Sequence, residues 1–241
     1  LIGLVGSEMC IRDRQAIDQL IRENKSAYVV TPNVDHIVQL ETNKELQAVY
    51  KNASLILTDG KPLLWIANWY GTPIKEKISG SDLFPLLCKM AAEKGYKMFF
   101  LGAAEGVAAK AAENLMNRFK GLQVTGTYSP PFGFEKDPVE MDKIKSMIKA
   151  SGADILIVGL GCPKQEKFMY HHCAELGVPI SFGLGASFDF EAGNIKRAPR
   201  WMANHGLEWL FRITQDPKRM AKRYLVDDRK IFGLAIKYRR R

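Results

Sequence analysis

An α/β fold, with a mostly parallel sheet covered by helices on both faces and followed by a basic helical C-terminal appendage, is predicted by three features of this sequence. Short apolar runs alternate with longer stretches of helical periodicity, each apolar run ends in a polar or glycine-bearing turn, and both pattern and charge change abruptly after residue 195. The 241 residues are 46% hydrophobic and 25% charged, which is enough chain to bury a substantial core in one domain and leave the appendage over.

Taken in order, Gly6-Ser-Glu-Met-Cys-Ile-Arg-Asp-Arg14 resembles a translated sequencing-adapter read-through; an ordinary first strand or loop is the competing reading. Apolar runs at 27–30, 55–58, 98–101, 155–158 and 180–183 predict five strands, and the 3.6-residue periodicity of 34–50, 82–94, 106–119 and 138–150 predicts helices, with Ser81 and Pro163 as further helix starts. The turns that follow the strands are Thr31-Pro-Asn33, Asp59-Gly60, Gly102-Ala-Ala-Glu105, Gly159-Leu-Gly161 and Gly183-Leu-Gly185. Ligands of open α/β sheets bind beyond the carboxyl ends of the strands, so these five turns outline the expected site of a Rossmann-like fold. Residues 128–134 are too rich in Pro and Gly for a regular element and are expected as a surface loop near that site. Residues 199–210 and 217–224 read as short amphipathic helices, with Trp201, Leu207, Trp209, Leu210 and Phe211 set among basic residues. The expected division is a catalytic domain over 1–195 and an appendage over 196–241.

Charge sharpens that division. From Lys196 to Arg241 there are fourteen Lys or Arg against four acids, a net of +10, which leaves 21 bases and 22 acids in the first 195 residues. Such segregation predicts a polyanionic partner for the appendage, whether nucleic acid, anionic lipid or a diphosphate. No run approaches the roughly 18 apolar residues of a membrane span and no secretory pattern opens the chain, so the expected location is the cytoplasm. The four cysteines lack the close pairing of a zinc site and are expected as free thiols.

Gly159-Leu-Gly-Cys-Pro-Lys-Gln-Glu166 follows a strand and opens a helix, where backbone N–H groups and the helix dipole can receive a phosphate. Lys164 stands where a dinucleotide fingerprint requires its third glycine, which argues against a nicotinamide-type site; a tight strand-to-helix connection is the plain alternative. Asp59 ends a strand before Gly60, placed either to take a proton from an attacking hydroxyl or to cap the next helix. Thr31, Asn33 and Asp35 add polar groups on a neighbouring turn, with Asp35 and His36 also suited to capping or solvating the helix that follows. His171 and His172, adjacent in sequence, point apart on a helix and do not suggest a two-ligand metal site. The absence of any Asp-x-Asp argues against a carboxylate-held metal on a nucleotide diphosphate.

Together these segments resemble the WecG/TagA/CpsF glycosyltransferase family. The resemblance rests on Thr31-Pro-Asn33, Leu57-Thr-Asp-Gly-Lys-Pro62 with Trp65, Ser79-Gly-Ser-Asp82, Phe100-Leu-Gly102, Val158-Gly-Leu-Gly-Cys-Pro-Lys-Gln-Glu166, Gly185-Ala-Ser-Phe-Asp189, Ile195-Lys-Arg-Ala-Pro-Arg-Trp201, Gly206-Leu-Glu-Trp-Leu-Phe-Arg212, Asp216-Pro-Lys-Arg219 and Arg223-Tyr224, and it covers the chain from about Gln15 onward. Residues 5–14 depart from the family's opening, and Glu76-Lys-Ile-Ser79 replaces a segment that often carries an arginine before Gly80.

The resemblance implies an inverting, metal-independent transfer of N-acetylmannosamine from UDP-N-acetylmannosamine to a polyprenyl-diphosphate-linked N-acetylglucosamine, in teichoic-acid linkage-unit or related cell-surface synthesis, with no cofactor. It implies Asp59 as base, Thr31, Asn33 and Gln165 as residues holding and orienting the sugar, and Gly102, Gly159, Gly161, Lys164, Gly185 and Asp189 around the UDP-sugar. Arg212, Arg219 and Arg223 are then the fixed cations for the leaving diphosphate or the lipid diphosphate. It also implies a homo-oligomer and a peripheral position on the inner face of the plasma membrane. There a basic amphipathic appendage gains on the order of 1 kcal/mol per residue near an anionic surface and closes over the site as a lid. The rival within the family uses the uronic-acid form of the same sugar or another UDP-hexose. A nucleic-acid module would explain the basic tail but not the five polar turns, and no nucleic-acid partner is expected.

Overall fold

The structure, a computed structural model, describes residues 11–74, 78–199, 201–202 and 205–239, with the backbone alone for residues 11–13, 219 and 227. Six parallel strands form one sheet: β1 (Ala27–Val30), β2 (Leu55–Ile56), β3 (Lys97–Gly102), β4 (Gln123–Tyr128), β5 (Ile155–Gly159) and β6 (Ile180–Gly183), in the spatial order β2-β1-β6-β5-β3-β4. The Rossmann-like layout is therefore correct, and β1 and β6 occupy the residues that their apolar runs indicate.

Burial on both faces explains why the central strands read as unbroken apolar runs. Successive residues of β3 serve opposite faces: Met98 and Phe100 join one cluster, Phe99 and Leu101 the other. The first cluster is covered by α1 (Ile11–Glu23), α5 (Gly80–Lys94), α6 (Val107–Arg118) and α9 (Ser187–Ala192), and at its centre the rings of Phe84, Phe100 and Phe188 meet with centroids 5.1 to 5.4 Å apart. The second lies under α3 (Lys44–Asn52), α7 (Pro138–Ser151) and α8 (Lys164–Leu176), through Leu46, Ile144 and Phe168.

Four expectations change. β4 was not legible, because an edge strand of Gln, Thr and Gly alternates in exposure and carries little apolar signal. The helix expected over 34–50 is two helices, α2 (Val34–Leu40) and α3, since Asn43 caps α3 by accepting the Leu46 N–H at 3.0 Å. The helix expected over 199–210 instead begins as α10 (Glu208–Gln215), behind Gly206 at φ +74°, where the backbone cannot continue a right-handed turn; residues 201–202 are helical before that break. At the start of the chain Ile11 already belongs to α1 rather than to a strand or loop, whereas residues 5–10 lie outside the described residues.

The remaining elements position the site. After α4 (Lys61–Trp69) and α10 come α11 (Pro217–Lys222), a π turn over Arg223–Asp227 and α12 (Lys230–Arg239). α12 lies against the body through Ile231 and Ala235, both buried. Around them the Tyr70 hydroxyl donates to the Ala235 carbonyl at 2.7 Å, Lys237 and Tyr238 bond Glu41, and Arg239 lies 4.3 Å over the Trp69 ring. No helix among the described residues is long and apolar enough to cross a membrane. Cys88, Cys162 and Cys173 are free thiols, as expected; Cys10 lies outside the described residues.

Candidate active site

A cavity of about 610 Å³ opens above the carboxyl ends of β1, β5 and β6, walled by the turns after these strands, by Pro130–Phe134 and by the appendage. Thr31, Asn33, Asp59, Gly159, Gly161, Lys164, Gln165, Gly185, Asp189, Arg212 and Arg223 all line it. Gly102 does not. At φ +115°, an added Cβ would lie 2.4 Å from the Gly159 carbonyl oxygen, so Gly102 lets β3 and β5 approach behind the cavity wall. The Arg219 side chain lies outside the described residues.

Local chemistry fixes most of these groups. Thr31 is buried and donates its hydroxyl hydrogen to the Gly183 carbonyl at 3.0 Å across β1 and β6, which leaves it an acceptor toward the cavity. Asn33 caps α2: its Oδ1 accepts the His36 N–H at 3.4 Å, and His36 completes a capping box from within the core, 5% exposed, rather than being solvated as its helix-start position suggests. Asp59 is not the cap of α4; that position is Gly60, at φ +104°, and it makes no side-chain cap bond. Gln165 is internally committed, with Nε2 donating to Glu166 at 2.7 Å and Oε1 accepting the Gly185 N–H at 3.0 Å, so it braces the β6 turn. Asp189 accepts from Asn194 at 3.3 Å. α8 begins at the cavity with no side-chain cap on its first N–H groups, the arrangement that receives anions.

Lys164 is held 2.7 Å from Glu135 and 4.8 Å from the Phe132 ring centroid. It therefore ties the Pro/Gly-rich loop to the mouth of the cavity, and its ammonium holds the Glu135 carboxyl below the usual range. Arg212 donates twice to Glu208, at 3.1 and 2.7 Å, and covers the Phe190 ring at 5.4 Å. Burial opposes its charge, but Glu208, Tyr224 and Asp59 outweigh that and hold the guanidinium above its ordinary value. Arg223 reaches Asn33 Oδ1 at 3.2 Å and stands 3.9 Å from Asp35. The appendage thus contributes two arginines to a cavity otherwise built by the sheet.

A second, apolar groove of about 650 Å³ runs between α4 and the appendage along Trp65, Trp69, Trp209, Leu225, Phe232 and Ile236. It shares Asn33, Asp59, Arg212 and Arg223 with the polar cavity. Sequence reading placed the arginines but not the groove, because α12 and α4 come together only in the fold. Also unread was the partnership of His36 with Glu166, 130 positions apart, which no local pattern signals. His36, Cys162 and Glu166 present donor atoms within 4.8 Å of one another, the one such set among the described residues suited to a metal ion. Here they form a hydrogen-bonded cluster in which Gln39 donates to the Cys162 sulfur at 3.4 Å. His171 and His172 diverge, toward Glu45 and Glu175 respectively.

Parallel α/β architecture, an acid and an asparagine at strand ends, and a helix N-terminus and two arginines lining one cleft define a protein of the open-sheet α/β class, whose ligand sites lie at the carboxyl edge of the sheet. A family model, Glycosyl transferase WecG/TagA/CpsF family, matches residues 10–241. The chain is 36% identical over 197 residues, 82% of its length and 74% of the relative's, to the N-acetylglucosaminyldiphosphoundecaprenol N-acetyl-beta-D-mannosaminyltransferase of Bacillus spizizenii (strain ATCC 23059 / NRRL B-14472 / W23). It is 29% identical over 207 residues, 86% of its length and 77% of the relative's, to the protein of the same name in Bacillus subtilis (strain 168). The chain belongs to the WecG/TagA/CpsF family and is a glycosyltransferase.

Proposed function

We propose that this chain transfers N-acetylmannosamine from UDP-N-acetylmannosamine to N-acetylglucosaminyl-diphosphoundecaprenol, with inversion and without a metal, in teichoic-acid linkage-unit or related cell-surface synthesis. The carrying observation is that a polar cavity and an apolar groove meet at Asp59, Asn33, Arg212 and Arg223. A lipid-diphosphate sugar has that same division: an apolar chain, a dianionic link and a hydroxyl-bearing head. The names of the two relatives specify such an acceptor.

In this reading UDP-sugar fills the polar cavity, with its diphosphate at the N-terminus of α8. The acceptor's prenyl chain lies along Trp65, Trp209 and Phe232, and its diphosphate rests near Arg212 and Arg223. Asp59 takes the proton of the attacking hydroxyl as that oxygen bonds to the anomeric carbon and UDP departs with the electron pair of the broken bond. Negative charge growing on UDP is met by α8 N–H groups and by the appendage arginines, which are fixed before reaction and need no reorganisation. Thr31 and Asn33 position the sugars. Residues 196–241 form the lid, docked on the inner face of the membrane, where their net charge of +10 favours an anionic leaflet.

UDP release is the test, measured with UDP-N-acetylmannosamine and a short-chain polyprenyl-diphosphate N-acetylglucosamine for the intact chain and for Asp59→Asn. Acceptor-dependent release that falls by at least about 100-fold in the variant is expected for loss of a general base. Release unaffected by the substitution would remove Asp59 from the mechanism. Release only with the uronic-acid donor would reassign the sugar.

A further inference from the structure

Glu166, in the first turn of α8, is a fully buried carboxylate with too few partners. Its Oε1 accepts from Gln165 Nε2 at 2.7 Å and faces His36 Nε2 at 3.2 Å, while Oε2 has no hydrogen-bond partner among the described residues. His36 is also the one basic side chain among them within 4.0 Å of this carboxylate, and an imidazole is a cation only when both its nitrogens are protonated. A buried charge needs a counter-charge or a full set of hydrogen bonds, and Oε2 has neither. The Cys162 sulfur stands beside the pair, so that an imidazole nitrogen, a sulfur and a carboxylate oxygen all lie within 4.8 Å of one another.

Such a donor set suits zinc, and not magnesium or calcium, which take oxygen ligands. Zinc bonds of about 2.0–2.3 Å set neighbouring tetrahedral ligands roughly 3.3–3.8 Å apart. The spacing of His36 and Glu166 already matches that, and the sulfur is at most about 1 Å too distant, a gap of the size that a modest turn about the Cα–Cβ bond of Cys162 can close. Each donor is also held from behind by a carboxamide: Gln39 donates to the Cys162 sulfur at 3.4 Å, Gln165 donates to Glu166, and Asn33 Oδ1 lies 2.8 Å from His36 Nδ1. Partners of this kind orient the ligands of metal sites. His36 and Cys162 both line the polar cavity, which gives an ion its route in and leaves room for a water as fourth ligand.

We propose that His36 Nε2, Cys162 Sγ and the Glu166 carboxylate bind one zinc ion beneath the cavity floor. Oε2 coordinates, and Oε1 keeps its hydrogen bond from Gln165. The thiol gives its proton to solvent, so that dication, thiolate and carboxylate sum to zero charge in the buried site. The ring stays neutral and changes tautomer. Without the metal, Nδ1 accepts the Asn33 backbone N–H at 3.3 Å and Nε2–H points to Glu166; coordination at Nε2 moves that hydrogen to Nδ1, where Asn33 Oδ1 accepts it. The Asn33 N–H loses its acceptor in the exchange, and the zinc–nitrogen bond outweighs that one hydrogen bond. The ion takes no part in the sugar transfer proposed above, and the site does not depend on that reading.

The test titrates the intact chain, reduced and stripped of metal, with zinc, and reads binding by native mass spectrometry, calorimetry and thermal unfolding. One equivalent should bind with a Kd of about 1 μM or tighter and raise the melting temperature. Affinity should fall about 100-fold or more in Cys162→Ala and about 10-fold or more in Glu166→Gln. Cys173→Ala and His171→Gln, which alter another free thiol and a half-exposed histidine, should leave it unchanged. Cobalt in place of zinc should give a thiolate-to-metal absorption and the intense visible bands of a tetrahedral ion. That spectrum needs only the intact chain, so the test stands even where a substitution unfolds the protein. No stoichiometric zinc at roughly 100 μM would overturn the proposal and leave Oε2 to water alone. An octahedral cobalt spectrum without the thiolate band would also overturn it, as would binding that survives Cys162→Ala and is lost in Cys173→Ala or His171→Gln.

Discussion

Arg197 lies 3.0 Å from Glu191, a carboxylate only 4% exposed, and its guanidinium also reaches Asp82 at 3.1 Å. This arginine opens the appendage and fastens it to α5 and α9 just before the chain turns toward the cavity. Arg118 supports Glu191 from α6 at 2.8 Å, so Arg197→Ala leaves the buried acid one cation. The expected loss is therefore about 1–2 kcal/mol, below the full penalty for orphaning a buried charge. Thermal unfolding should show a fall of roughly 2–8 °C, with turnover reduced more than stability alone explains.

Gly102→Ala tests the approach of β3 to β5. The new methyl would sit 2.4 Å from the Gly159 oxygen, which is backbone and cannot swing away, at a φ of +115°. A loss of about 3 kcal/mol or more is expected, read from denaturant midpoints; a loss under 1 kcal/mol would show that the two strands separate readily.

Lys164→Ala should divide stability from binding. Its ion pair with Glu135 is exposed and worth at most about 1 kcal/mol, so the melting temperature should barely move. The 130–134 segment would lose its tether, and cleavage there by a dilute protease should accelerate while the KM for the nucleotide sugar rises. If Glu135→Ala raises KM equally, the tether is responsible; if only Lys164→Ala does, the ammonium contacts the donor directly.

His172 gives a pH prediction of definite sign. Burial first, then Lys145, lowers its pKa from the ordinary value of 6.5. Between the folded and unfolded values the unfolded chain binds more protons, so stability is complete above about 6.5 and declines as pH falls toward the folded value. His172→Asn should flatten that decline in melting temperature between neutral pH and pH 5. An unchanged slope would assign the decline to other groups.

Phe232→Ser probes the apolar groove. Phe232 is largely exposed, so folding should be little affected. If a prenyl chain covers it, the lost burial is worth about 1.5–3 kcal/mol, and KM for a long-chain acceptor should rise roughly 10- to 100-fold while a short, water-soluble acceptor is unaffected.

What the sequence disclosed follows from where each signal is stored. Val29, Val30, Phe182 and Ile157 are buried on both sides of the sheet, and two-sided burial writes itself into composition as an apolar run. β4 is covered on one edge only and writes almost nothing, and α12, whose uncharged residues run together from Ile231 to Ile236 without marking one face, is similarly mute. Asp59 and the glycine turns were legible because strand-end chemistry is local. Arg223 was legible as charge but not as a partner of Asn33, and the Glu166–His36 pair was not legible at all, since contacts over such separations exist only once the sheet has brought the turns together.

The wall common to the polar cavity and the apolar groove has a thermodynamic meaning. Asn33, Asp59, Arg212 and Arg223 face both spaces, so the occupant of one sets the electrostatic and steric condition of the other. In the proposed reaction, whatever free energy the bound nucleotide adds to or takes from lipid binding, the lipid returns to the nucleotide in equal measure. Two ligands that never share a compartment, one dissolved in water and the other confined to a bilayer, would regulate each other's residence through four side chains.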